Sequence, residues 1–162
     1  MDIDHFKQIN DQHGHGFGDY VLAEVSRIVK EYIREKDLFA RWGGEEFLLV
    51  CRNTSLNDAQ AVAEKIRLLI AAHDFDRGAK VTASFGVATL TGIDTLEQLF
   101  QAADQALYLA KNAGRNRVVT GLTETSKMRI ASWIQPRKDG AVTGEHPATG
   151  ESEPPPSATG SN

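Results

Sequence analysis

Two short stretches hold residues whose types and spacing could handle phosphate and metal. Gly43-Gly44-Glu45-Glu46 sets two adjacent carboxylates after two glycines. On a tight turn the acids repel one another, and the glycines let the backbone come close to a ligand. Asp2-Ile3-Asp4-His5-Phe6-Lys7 sets an acid at the end of a strand, with a lysine five residues on. Carboxylates with a nearby cation suit Mg²⁺, a hard ion that prefers oxygen and shares its shell with substrate phosphates. Taken alone, each stretch also reads as ordinary surface: a solvated turn in one case, paired charges in the other.

These stretches need elements to hold them. Leu38 to Trp42 and Phe47 to Cys51 are apolar runs on either side of the Gly-Gly-Glu-Glu stretch, which predicts a β-hairpin with a four-residue tip. Val21, Val25, Ile28 and Tyr32 recur at helical spacing, so Tyr20 to Arg34 is expected to be an amphipathic helix against a sheet. Asn57 can cap a second helix running to Ala72, and Val81 to Thr89 predicts a strand. Thr95 can cap a third helix over Leu96 to Asn112, stopped by Gly114, before a last short strand, Arg117 to Thr120. The sum is an α+β fold with helices packed on a mostly antiparallel sheet.

Composition narrows the partners. With 162 residues, 41% apolar and 25% charged, the chain suits one α/β domain. Residues 139 to 162 hold four acids and no Lys or Arg, leaving 18 acids against 18 basic residues elsewhere. That balance argues against a duplex-DNA binder, which needs a net basic face. No run approaches the roughly 18 apolar residues of a membrane span, and the first residues lack a secretory signal, so a cytoplasmic protein is expected. Cys51 is the one cysteine, which excludes an internal disulfide and agrees with a reducing compartment. From about Gly140 the chain has almost nothing to bury, and 140–162 is expected to be a disordered tail. The stretch 123–139, with Met128, Ile130, Trp133 and Ile134, could form a short helix or dock on the domain.

The two acidic stretches, joined by a helix that returns the chain, form the kind of two-carboxylate metal site in which ions stabilise both attacking and leaving oxygens. Asp2-Ile3-Asp4-His5-Phe6-Lys7-Gln8-Ile9-Asn10-Asp11, Gly14-His15-x-x-Gly18-Asp19, Gly43-Gly44-Glu45-Glu46-Phe47 and Lys111-x-x-x-Arg115-Asn116 resemble, in order and spacing, the GGDEF family of diguanylate cyclases. The resemblance covers about residues 1 to 120. It implies a palm-like, nucleotidyl cyclase-type sheet in a domain spanning 1–122, and an enzyme that joins two GTP into cyclic di-GMP with release of two pyrophosphates, using Mg²⁺ or Mn²⁺. It also implies a homodimer, because each subunit holds one GTP and two must face each other.

Carried over residue by residue, the resemblance makes Asp2, the Ile3 carbonyl, Glu45 and Glu46 the metal site, and Glu45 the base for the 3′-hydroxyl. A carboxylate beside a divalent ion is a poor base, so activation of the hydroxyl by the ion weighs against that last role. Asn10 and Asp19 match the guanine-reading positions: a carboxylate can accept from guanine N1–H and N2–H₂, and an amide offers both donor and acceptor. Outside the pattern, Asn10 reads as a turn former and Asp19 as a helix N-cap. Lys7 and the Phe6 backbone match phosphate contacts, and Lys111 and Arg115 match side chains that reach the terminal phosphates. Cations at a helix C-terminus also answer its dipole. Arg34 and Asp37, in Arg34-Glu35-Lys36-Asp37, match the site where cyclic di-GMP inhibits. His5, His13 and His15, in a polar loop, are weak candidates for a metal cluster.

The resemblance implies a helix, a strand and usually a long helix before the Asp2 motif, so the first elements are expected to be missing here. With Met1 alone ahead of it, the central strand should be too short to pair normally. That leaves two alternatives to the cyclase: a non-catalytic cyclic di-GMP binding module using Arg34 and Asp37, or an inactive cyclase fragment.

Overall fold

In the computed structural model, residues 1–90, 94–123 and 125–128 are described. The order is β1 (Asp2–Ile3), α1 (Phe6–His13), α2 (His15–Tyr32), β2 (Leu38–Gly43), β3 (Glu46–Val50), α3 (Leu56–Ala72), a 3₁₀ turn (Asp76–Gly78), β4 (Ala83–Val87), α4 (Leu96–Asn112) and β5 (Val118–Thr120). Five strands form one mixed sheet in the order β2-β3-β1-β4-β5, antiparallel except for the parallel β4–β5 pair. This is the expected antiparallel-rich sheet with packing helices.

β1 has only two residues, well below the ordinary strand length of about five or six. It nevertheless pairs on both sides, Asp2 with Glu46 of β3 and with Ser84 of β4, and Ile3 with Ala83. The Phe47 N–H donates to the Met1 carbonyl at 2.8 Å and extends the ladder by one bond.

The sheet has two unlike faces. Ile3, Phe47, Ala83 and Phe85 join Val21, Val25 and Val29 of α2 and Ile66 and Ile70 of α3 in one apolar core. The other face lies under α4, whose buried residues are Ala102, Ala106 and Ala110, small side chains one turn apart. They let α4 sit close to β4: a Cβ on Gly86 would lie 2.1 Å from the Ala103 carbonyl oxygen.

Several boundaries differ from the sequence reading, each for a local reason. α4 and its Thr95 cap are as expected, with a full capping box in which Thr95 and Gln98 satisfy each other's backbone N–H. α3 is capped by Ser55, not Asn57, because the Ser55 side chain reaches the Asp58 N–H at 3.2 Å. The hairpin tip has two residues, since Gly43 and Glu46 pair directly. Residues 6–13, expected as a polar loop, form α1: Phe6 and Ile9, three apart, are both buried. Eight residues are too few for periodicity to announce a helix. α2 therefore begins at His15, and Asp19 lies inside it and is not an N-cap. Residues 125–128 are helical. The expected tail, 140–162, and most of 123–139 lie outside the described residues.

Candidate functional site

The site is built on the sheet face under α4. Asp2 is opposite Glu46 on one side and Ser84 on the other, so the three side chains stand on one face of neighbouring strands. Asp2 is 5% exposed. The Lys111 ammonium, from the last turn of α4, lies 2.8 Å from its Oδ2. Burial pushes the Asp2 carboxyl above its ordinary value, the Lys111 hydrogen bond and charge pull it down, and Glu45 and Glu46 push it up again. The close approach of α4 over Gly86 is what brings Lys111 within reach.

Glu45 sits at the hairpin tip. Gly44, the first central residue of the turn, has φ +50, while Glu45 does not take a positive φ; a two-residue hairpin of that kind favours glycine first. Arg41 Nε donates to the Gly44 carbonyl at 2.7 Å, and the Ile3 N–H donates to the Glu45 carbonyl at 3.3 Å. The register slips between Arg41 and Gly43, leaving Trp42 as a bulge residue. Trp42 is 67% exposed and stacks on Phe100 of α4, ring centres 5.7 Å apart.

Of the expected metal group, the structure brings Asp2, Ile3, Glu45 and Glu46 into one corner. Among the described residues, however, no three acids or imidazoles close into an ion cage. Like charges without a counterion repel, and here Lys111 supplies the positive charge on Asp2. The donors are all oxygen, which fits a hard divalent ion whose remaining ligands come from substrate phosphates. The histidines are not part of this corner. His13 packs its ring on Phe17 at 4.8 Å, within α1 and α2, and His5 is the left-handed residue before α1.

The remaining candidates lie on α1, on α2 and in the loops after α2 and α4. Phe6 and Lys7 open α1, where first-turn N–H groups lack helical acceptors and favour anions. Asn10, later in α1, packs on Gly18 of α2 so closely that a Cβ there would lie 1.9 Å from its Oδ1. Asp19, the next residue of α2, is exposed. Past α4 the chain turns through three consecutive residues with positive φ: Gly114 (+107), Arg115 (+62) and Asn116 (+45). Arg34 and Asp37 stand apart from this corner. Both oxygens of Asp37 are engaged by backbone, Oδ2 by the Arg34 N–H and Oδ1 by the Arg52 N–H, and the Arg34 side chain is exposed.

Asp4 also belongs to this region, although its type and position alone assign it no role. It is 3% exposed and accepts from the Thr82 hydroxyl, the Ser84 hydroxyl and the Asn116 N–H, at 2.7, 2.7 and 3.0 Å. The available signal was its place two residues after Asp2, which puts both acids on one face.

Three comparisons bear on the chain. Residues 1–117 match the family described as diguanylate cyclase, GGDEF domain. The chain is 44% identical over 119 residues to diguanylate cyclase DgcM of Escherichia coli K12, covering 74% of this chain and 29% of that protein. It is also 44% identical over 122 residues to diguanylate cyclase A of Treponema denticola, covering 73% and 33% respectively. The chain thus spans about a third of the length of these curated relatives. Its fold is similar to the active GGEEF domain of a Vibrio cholerae diguanylate cyclase, with TM-score 0.70, 38% identity, and coverage of 74% of this chain and 78% of that one. It is likewise similar to the GGDEF domain of Caulobacter crescentus DgcB in complex with c-di-GMP, with TM-score 0.71, 32% identity, and coverage of 74% and 73%.

Proposed function

From the premise that this chain belongs to the GGDEF family of diguanylate cyclases, we propose that it condenses two GTP into cyclic di-GMP, dependent on a divalent metal. One observation carries the reading. Asp2 is buried on the sheet face shared with Glu46, and a cation already lies against it. Such a corner stabilises positive charge next to a phosphate-binding helix start.

Asp19 and Asn10 hold the guanine edge, with Gly18 keeping room for the Asn10 amide. Lys7 and the first N–H groups of α1 hold phosphate, and Lys111 and Arg115 hold the terminal phosphates. Asp2, Glu46 and the Ile3 carbonyl, with Glu45, would hold Mg²⁺ or Mn²⁺. A bound ion would supply Lewis-acid polarisation of the hydroxyl and phosphate oxygens. Glu45 is the acid assigned to the 3′-hydroxyl, either taking its proton or holding the ion that activates it. The 3′-oxygen forms a bond to the α-phosphorus of the facing GTP as the bond to the β-phosphate oxygen breaks, and pyrophosphate leaves. Two such steps close the ring, so two chains must face each other as a homodimer. Arg34, with its exposed guanidinium, and Asp37 form the product-inhibition site.

The test is incubation of purified chain with GTP and Mg²⁺, scored for cyclic di-GMP and pyrophosphate. Product is expected from the wild type and should fall by at least about a hundredfold in Glu45→Gln, the scale of losing one charged group at a reacting centre. Equal product from both would remove Glu45 from the reaction, and none from wild type at any protein concentration would sink the cyclase reading.

A further inference from the structure

We propose that Asp4 is a positioning residue: its carboxylate holds the loop after α4 in the conformation that presents Arg115 to the terminal phosphates of GTP. The inference rests on the phosphate role given to Arg115 above.

Asp4 is buried, and its carboxylate reaches the Ser84 side chain of β4, the Thr82 hydroxyl and the α4–β5 loop. Its Oδ1 accepts the Ser84 hydroxyl, and its Oδ2 accepts both the Thr82 hydroxyl and the Asn116 N–H. Its own N–H donates to the Thr82 carbonyl at 2.9 Å. An ionised carboxylate only accepts, so three converging donors fix its orientation fully. Asn116 is gripped a second time: its Oδ1 accepts from Arg67 Nη1 at 2.7 Å, and Arg67 is held in turn by Glu64 at 2.6 and 2.9 Å.

The gripped loop needs holding. Arg115 and Asn116 both take left-handed backbone conformations, which a side chain other than glycine adopts at a cost and keeps only where its surroundings enforce it. The Arg115 N–H reaches back to the Ala110 carbonyl at 3.0 Å, so the loop is tied to α4 at its start. Asp4 ties its middle to the strand end that carries Asp2. One carboxylate therefore sets the distance between the metal corner and Arg115.

The test compares the α,β-methylene analogue of GTP, which keeps three phosphates and cannot release pyrophosphate, with GMP. Both are titrated with Mg²⁺ into the full chain, with circular dichroism to measure the folded fraction. Asp4→Ala should weaken the triphosphate by about tenfold or more and GMP by less than about threefold, the scale of a lost charge-assisted contact. Asp4→Asn, which keeps an oxygen for the Asn116 N–H, should restore the triphosphate to within about threefold of wild type. A parallel loss for both nucleotides, or no loss for either, overturns the positioning role. If Asp4→Ala does not fold, Thr82→Val combined with Ser84→Ala removes two of the three donors that orient the carboxylate, and an unchanged preference for the triphosphate there overturns it equally. Wild type that binds neither nucleotide overturns the GTP reading itself, and this role with it.

Discussion

β4 sends Ala83 and Phe85 into the apolar core while Ser84 and Gly86 face α4, and β1 sends Ile3 to the core while Asp2 faces Lys111. The same two strands thus supply both a packed interior and a polar corner, separated only by the alternation of the chain. On the core face, stability comes from area removed from water, shared among many residues. On the α4 face a few buried polar groups hold one another, and each depends on named partners. Loss of a core residue should therefore weaken everything together, whereas loss of a polar one should change a particular geometry.

The largest expected effect is on turnover. Asp2→Asn removes the charge that binds a cation while keeping the side-chain shape, and should lower cyclic di-GMP formation by at least about a hundredfold. Its thermal midpoint should stay near or above wild type, because burial disfavours the Asp2 charge. The pH dependence follows from the same shift. The folded carboxyl lies above its unfolded value, so stability drawn from the protonated form is present at low pH. It is lost as pH rises through the folded value, and Asp2→Asn should flatten that decline in thermal melts. A midpoint that falls steeply in the variant would show that the Lys111 pair outweighs burial.

Next is the core face. Ile66 is fully buried, and Ile66→Ala should cost about 2–5 kcal/mol in chemical denaturation. The relative affinity for triphosphate over monophosphate in its folded fraction should not change; a changed preference would mean the two faces are coupled.

Gly86→Ala tests the boundary between them. The added Cβ would meet helix backbone, so it should cost about 1–3 kcal/mol and push α4, with Lys111, away from Asp2. Turnover should then fall further than in Ile66→Ala at equal folded fraction, and an equal fall would deny the helix its positioning part. The smallest effect belongs to neither face. On the outside of α2, Arg27 bonds Glu24 and holds its carboxyl below the ordinary range. Arg27→Met should leave the thermal midpoint nearly unchanged near neutral pH, as for exposed pairs. Any difference should vanish as acid titrates Glu24. A larger effect would make this surface part of the fold's support.

Much of this molecule was legible in its order of residues. Thr95 announced α4 because an N-cap is chemistry between neighbours, and the apolar runs flanking Gly43-Gly44-Glu45-Glu46 announced a hairpin, though its tip has two residues and not four. The acids of Asp2 and of the Gly-Gly-Glu-Glu turn identified themselves by type. What local pattern could not supply was partnership across the chain. Asp4 finds Thr82, Ser84 and Asn116 at separations of 78, 80 and 112 residues, and Lys111 finds Asp2 only because small residues let α4 settle onto β4. Periodicity and turn chemistry are properties of neighbours and so are written in sequence. Strand register and helix approach are set by how the whole sheet packs, and these decided which cation meets which carboxylate.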